Sequence, residues 1–283
     1  MRKFERHREI VACLDGRGSA SVAELAQRFG VSEVTIRKDL AELEREGLLQ
    51  RTYGGAVLRR PKRYNPGFRE KLALRPTAKA NIAKAALAHI REGDTIILDA
   101  GTTTLALAKE IRQRFDSLVI LTNSIAIALE VVETSNRLIL IGGEVRSHSL
   151  AVIGPDSVSA LGRYHVEKAF LGATGFSLRR GYTTPNPVEA ETKRAMIEAA
   201  EKVYVLTDAS KMENIGLSVF ARPDEVDVLI TTADAPAEVL GALRAMGCAV
   251  EVVPAEEPMA DRWGDEPVVT TRAGGHGNEH GDR

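Results

Sequence analysis

Ser21-Val22-Ala23-Glu24-Leu25-Ala26-Gln27-Arg28-Phe29-Gly30-Val31-Ser32-Glu33-Val34-Thr35-Ile36-Arg37-Lys38-Asp39-Leu40 contains two helix starts and one helix stop. Ser21 and Glu24 have the S-x-x-E spacing of a capping box, in which each side chain satisfies a backbone N–H of the other. Val22, Leu25, Ala26 and Phe29 then recur on one helical face. Gly30 is the residue type that ends a helix in the left-handed conformation. Ser32 is a second N-cap, and Ile36, Leu40 and Leu43 form the apolar stripe of a helix that stops at Gly47. Only Gly30-Val31 separates the stop from the next cap, so the chain must turn sharply between two helices.

Outward from this turn, Phe4, His7, Val11 and Leu14 follow a 3.6-residue period, which predicts a first helix ended by Gly16 and Gly18. Downstream, two β-prone runs within residues 48–58 flank Gly54-Gly55, a hairpin signal. Three helices and a hairpin make residues 1–58 a winged helix-turn-helix domain. A recognition helix of this type presents its N-terminal side chains to the major groove. Ser32, Thr35, Arg37 and Lys38 are therefore candidate DNA contacts, with Arg51 and Tyr53 in the wing as phosphate contacts. The competing explanation for Arg37 and Lys38 is a solvated face paired with Glu33 and Glu42 at helical spacing.

Residues 1–76 carry 17 Lys/Arg against 10 Asp/Glu, whereas residues 77–283 carry 21 against 29, so a balanced total hides a basic head on an acidic body. Residues 59–76 mix Arg59, Arg60, Lys62, Arg63, Arg69, Lys71 and Arg75 with Pro61, Pro66, Gly67 and Pro76, the texture of a basic linker. No run of 18 apolar residues occurs, and no apolar signal-peptide core follows the basic N-terminus, so no membrane partner and a cytoplasmic location are expected. Cys13 and Cys248 match no metal spacing and read as buried reduced thiols. His276, Glu279 and His280 have helical spacing, but the glycines around them argue for a flexible tail over residues 255–283 and against a metal site.

From Thr77 helices and short apolar strands alternate. Helices are expected over 78–90, 103–114, 124–132, 187–200 and 236–246. Strands are expected at 95–98, 118–121 and 138–141 and near 166–172, 203–207, 227–231 and 249–253. Strands of continuous apolar character between helices indicate a mostly parallel α/β sheet over residues 77–254. Ligands of such sheets bind beyond the carboxyl ends of the strands. Three strands here end in small or polar residues: Asp99-Ala100-Gly101-Thr102-Thr103-Thr104, Thr122-Asn123-Ser124 and Gly142-Gly143. Hydroxyls and free N–H groups at a helix start suit a phosphate, though a capped turn accounts for the first stretch equally well. Glu189 with Lys193, and Asp208 with Lys211, are further couples near strand or helix ends, readable also as structural ion pairs.

Residues 6–57 resemble the DNA-binding domain of DeoR-type bacterial repressors, through residues 6–10, 22–29 and 54–56 and through Val34-Thr35-Ile36-Arg37-Lys38-Asp39-Leu40. The body over about 77–253 resembles the sensor domain of the same family, which is related to pentose-phosphate isomerases, glucosamine-phosphate deaminases and CoA transferases. The resemblance implies a Rossmann-like fold and a sugar-phosphate effector, without a cofactor. It implies that Gly101, Thr102, Thr103 and Thr104 hold the phosphate, with Asp99, Asn123, Gly143, Glu189, Lys193, Asp208 and Lys211 around the sugar. Pentose-phosphate isomerases carry Asp-Gly-Ala-Asp where this chain has Leu171-Gly172-Ala173-Thr174, so two titratable groups are missing. Asp208-Ala209-Ser210-Lys211 is similar to the isomerases' own stretch.

The reading that follows is a repressor of carbohydrate-metabolism genes that is not an enzyme. A homo-oligomer binds paired operator half-sites, and a phosphorylated sugar controls that binding. Two alternatives stand beside it. One is a sugar-phosphate isomerase or deaminase with a DNA-binding head, using Glu189 as base. The other is a constitutive DNA-binding protein whose body only oligomerises.

Overall fold

The computed structural model describes residues 3–17, 19–45, 48–58, 65–212 and 214–255. The expected linker residues 59–64, the tail 256–283 with its histidines, and the side chain of Phe4 lie outside that set.

The head contains α1 (Lys3–Arg17), β1 (Ser19–Ser21), α2 (Val22–Phe29), α3 (Glu33–Arg45), β2 (Leu49–Thr52) and β3 (Gly55–Leu58). Both halves of the Ser21/Glu24 capping box are formed, and Gly30 is left-handed at φ 63°. Ser32 Oγ accepts the Thr35 N–H at 3.2 Å. α1 runs through Gly16 to Arg17, past the first expected stop. Ile10, Leu14, Leu25, Ile36, Leu40, Leu43 and Leu49 form a buried core. The wing is a three-stranded sheet of order β1-β3-β2, one strand more than the hairpin expected from sequence, because Ser19, Ala20 and Ser21 pair with β3. A three-residue strand shows no alternation for sequence to reveal.

A buried polar knot ties α1 to α3. Arg6 Nε donates to Asp39 at 2.6 Å, and His7 Nε2 lies 3.0 Å from the same carboxylate. Burial alone would raise the Asp39 pKa, but the hydrogen bonds from Arg6 and His7 hold it below the usual carboxylate range.

The body begins earlier in the chain than the alternation of elements suggests. Residues 68–73, inside the stretch read as linker, form α4 (Phe68–Ala73), and α5 (Pro76–Leu87) follows. The Phe68 N–H donates to the His148 carbonyl at 2.9 Å, so this strap is built onto the body. The Lys79 ammonium donates to the Lys71 and Leu74 carbonyls, satisfying acceptors left free at the end of α4.

Thereafter come β4 (Thr95–Leu98), α6 (Thr102–Arg112), β5 (Val119–Thr122), α7 (Ile125–Val131), β6 (Arg137–Leu140), β7 (Glu144–Arg146), β8 (Ala151–Ile153) and α8 (Pro155–Leu161). β9 (Val166–Gly172), β10 (Gly175–Ser177), β11 (Gly181–Thr184), α9 (Pro187–Glu198), β12 (Ala200–Leu206), β13 (Ser218–Ala221), β14 (Val228–Thr232), α10 (Ala237–Ala245) and β15 (Ala249–Val253) complete the described chain. Seven strands form one wholly parallel sheet of order β15-β14-β12-β9-β4-β5-β6. Alternate residues feed two cores. Ile96, Leu98, Ile120, Phe170, Tyr204 and Ile230 pack on one face, and Ile97, Leu121, Leu171, Val205 and Leu229 on the other. Burial on both faces is why these strands read as unbroken apolar runs. The antiparallel sheet β10-β11-β13 and the hairpin β7-β8 were not anticipated. Among the described residues, no helix is long and apolar enough to cross a membrane.

The strand order reverses between β4 and β9. From β4 the chain adds β5 and β6 on one side, then returns to place β9 on the other. A reversal of this kind opens a crevice beyond the strand ends, where ligands of open α/β sheets bind.

Candidate functional site

A cleft of about 940 Å³ lies at that reversal, within the size range of small-molecule sites. Asp99, directly after β4, and Gly172, the last residue of β9, meet at its floor. The Asp99 carboxylate accepts the Gly172 N–H at 3.0 Å and the Lys193 ammonium, while Lys193 also donates to the Gly172 carbonyl at 3.0 Å. The switch point is thus stitched by one buried ion pair, in which the side chain that follows β4 and the Lys193 ammonium hold the backbone N–H and carbonyl of Gly172 at the end of β9.

α6 starts in the wall. Gly101 is its N-cap and gives no side-chain cap, so the first N–H groups of the helix have no partner of that kind. Gly101, Thr102 and Thr103 line the cleft. Thr104 does not: it is fully buried, and its hydroxyl donates to the Asp99 carbonyl at 2.6 Å, which shapes the turn from below. Gly143 does not line the cleft either. Its φ is 142°, and a Cβ there would sit 2.3 Å from Ser157 Oγ, so its glycine serves packing against α8.

Asn123 lines the cleft, but its amide is engaged at both ends. Its Oδ1 accepts the Ala100 N–H at 2.9 Å, and its Nδ2 donates to the Val152 carbonyl at 3.0 Å. It braces the Asp99–Gly101 turn.

Glu189, near the start of α9, accepts from Ser149 Oγ at 2.6 Å, Thr184 Oγ1 at 3.0 Å and Arg146 Nη1 at 3.4 Å. Burial alone would raise its pKa, but the Ser149 bond, the Lys193 and Arg146 charges and the Thr184 bond hold it below the usual range. Asp208 caps a 3-10 turn, Ala209–Lys211, accepting the Ser210 N–H at 3.0 Å and Arg75 Nη1 at 2.8 Å. Its carboxyl is likewise held low: Lys211, Ser210 and Arg75 outweigh the burial that opposes them. The Glu189–Lys193 couple is not an ion pair at salt-bridge distance, since Lys193 bonds Asp99 instead.

Sequence reasoning missed the strap. Phe68, Lys71, Arg75 and Lys79 all line the cleft, as does His148. Arg75 adopts a left-handed conformation, φ 48°, while its guanidinium bridges Asp208 and Asp234. Among the described residues, Lys71 and Lys211 form no ion pair. Burial pushes the Lys71 pKa down to about 8. Glu189 offsets part of that shift, and Lys211, Lys193 and Arg146 add to it. Five cationic side chains line the cleft (Lys71, Arg75, Lys79, Lys193, Lys211) against three carboxylates (Asp99, Glu189, Asp208), a surplus suited to an anion.

In the head, Arg37 is paired with Glu33 at 2.7 Å on the solvent face of α3, as the competing reading of that helix anticipated. Ser32 Oγ lies 2.9 Å from Thr35 Oγ1, so the two hydroxyls form one local pair. Lys38 is exposed. Arg51 is held by Glu44 of α3 at 2.8 Å, which fixes the wing to the recognition helix. Tyr53 stands fully exposed at the wing tip.

Residues 6–62 match the DeoR-like helix-turn-helix domain, and residues 75–233 match the DeoR C terminal sensor domain. The putative aga operon transcriptional repressor of Escherichia coli O157:H7 is 36% identical over 88% of this chain and 93% of that protein. The HTH-type transcriptional regulator GlpR of Haloferax volcanii is 35% identical, over 80% and 89% of the two chains. Among solved structures, ribose 5-phosphate isomerase A from Methanocaldococcus jannaschii aligns with 47% of this chain and 53% of its own at a TM-score of 0.35 and 19% identity. On its two domain matches and its full-length relatives, the chain belongs to the DeoR family of helix-turn-helix transcriptional regulators.

Proposed function

We propose that this protein represses carbohydrate-metabolism genes and that a phosphorylated sugar in the body's cleft sets the head's grip on operator DNA. The observation that carries this reading is the surplus of cations around an uncapped helix start at the sheet's switch point. The phosphate is placed against the N–H groups of Thr102 and Thr103, with Lys71 and Lys211 as its cationic partners. Glu189 and Asp208, both ionised, accept hydrogen bonds from sugar hydroxyls. Asp99 and Lys193 hold the floor, Asn123 and Thr104 act by shaping it, and Gly143 acts only by its packing against α8.

Lys71 sits in α4, only a few residues after the segment that leads from the head. An anion held by Lys71 therefore acts on the chain that presents the head. The effect requires unequal affinity of the ligand for two arrangements, typically worth about 1–3 kcal/mol. In the head, Ser32, Thr35, Arg37 and Lys38 contact the major groove, and Arg51 and Tyr53 contact phosphates. Paired half-sites call for at least a homodimer, and the cytoplasm is the compartment in which such a protein meets both ligands.

We read the cleft as non-enzymatic. A general base works best with a pKa near the operating pH, whereas Glu189 and Asp208 are both held low. A thermal-shift screen with sugar phosphates, their unphosphorylated sugars and inorganic phosphate tests the proposal. A true effector at 100 times its Kd adds about 2.7 kcal/mol of stability. No shift with any sugar phosphate would leave a constitutive DNA-binding protein, and turnover of one that Glu189→Gln abolishes would make the chain an enzyme.

A further inference from the structure

The side of α3 that faces directly away from the core is not centred on Arg37. At 3.6 residues per turn, the buried Ile36, Asp39, Leu40 and Leu43 define the inner face, and the ridge opposite them runs Val34, Lys38, Ala41, Arg45. Arg37 lies on the flank, where Glu33 holds it at 2.7 Å. At the N-terminal end of this ridge, the end a recognition helix inserts most deeply, stands Val34 with 59% of its surface exposed. Its neighbours on the outward surface are Ser32, Glu33, Arg37 and Lys38, all polar or charged. A β-branched side chain there has one preferred rotamer and offers two methyl groups in a fixed direction.

A major groove offers such a group one apolar partner, the C5-methyl of thymine. We propose that Val34 is a specificity-determining residue that reads a thymine methyl at the floor of the groove, with Lys38 beside it supplying charge. This assignment rests on the chain binding DNA through α3. It goes further by naming which base feature is read and by which atoms.

The test uses the full-length protein and the tightest duplex it selects from a randomised pool. Each thymine is replaced in turn by uracil, which removes only the methyl. One or two positions in each half-site are expected to lose about 3- to 10-fold in affinity. Val34→Ala should bring those uracil-to-thymine ratios to one, and Val34→Ile should retain them. Lys38→Ala should weaken all duplexes alike and leave the ratios unchanged. Because Val34 is exposed, the melting temperature of Val34→Ala should match that of the parent. Uracil indifference at every position, or ratios that persist in Val34→Ala, would overturn the assignment while leaving DNA binding intact. Recovery of no duplex at all would remove the regulator reading and this assignment together.

Discussion

On the outer face of α3 the charged side chains stand in solvent, with Arg37 60% exposed and its partner Glu33 48% exposed. In the cleft, Lys193 and Asp99 keep only 10% and 2% of their side-chain surface. The first arrangement has low electrostatic cost and suits a polyanion that arrives as a long surface and brings its own counterions. The second desolvates its charges, so each must be paired or stay costly, and it suits one small anion that completes the set. Lys71 marks the difference most clearly. It lies in a basic stretch continuous in composition with the head, yet in the folded chain it faces inward, its ammonium weakened by burial.

The largest expected effect breaks the head alone. Asp39→Ala leaves Arg6 buried without its carboxylate and should destabilise the head by about 3–5 kcal/mol. DNA binding should vanish while thermal shifts with sugar phosphates persist. If both activities fall together, the two regions do not act as separately as their chemistry suggests. Asp39 also sets an acid limit. Its pKa is lowered in the folded state, so its contribution is fully present above the unfolded value near 3.8 and drains as pH falls further. Far-UV circular dichroism of the parent and of Asp39→Asn over pH 2–6 checks this.

The next effect breaks the cleft alone. Thr102→Glu sets a carboxylate at the start of α6, where the phosphate is placed. Sugar-phosphate affinity should fall at least 100-fold by calorimetry while operator affinity is kept. The pH dependence sharpens the point. Below about pH 8 Lys71 is charged in the empty cleft, facing Glu189 and the cations Lys193, Lys211 and Arg146. Above it the ammonium must be reprotonated on binding. Affinity should therefore decline as pH rises past 8, by up to about tenfold per unit, although the phosphate is already fully ionised. Lys71→Arg should bind with a shallower decline over pH 7–9.5, the remainder coming from Lys79, which burial also lowers to about 8.

Smaller changes belong to the exposed surface. Arg37→Ala should weaken operator binding by about 1–3 kcal/mol in gel-shift titrations if Arg37 reads a base. Glu33→Gln releases Arg37 from its exposed pair. It should alter thermal stability by under about 0.5 kcal/mol and tighten operator binding slightly.

The head was legible because its caps are local. Ser21, Glu24, Gly30 and Ser32 act over three or four residues, so spacing alone predicts their hydrogen bonds. The parallel sheet was legible because strands buried on both faces read as apolar runs. The cleft was partly legible, since the Asp99–Thr103 turn and the Asp208 turn lie at strand ends where the fold puts ligands. Thr104 and Gly143 share residue types with their neighbours but turn away from the cleft, a difference set by helix phase and by φ that composition does not carry. The strap was not legible. Lys71 and Arg75 look like linker cations in sequence, and what distinguishes them is contact with Asp208, which lies 133 residues from Arg75, and with the cleft.

The claim that an anion in the body governs the head is tested most directly by fluorescence anisotropy of the full chain on its selected duplex, with and without saturating sugar phosphate. The account predicts that at least one sugar phosphate shifts the Kd for DNA by about 5- to 150-fold, and that the shift disappears in Thr102→Glu. A DNA affinity unmoved by every sugar phosphate that binds the body, or moved equally in Thr102→Glu, would contradict it.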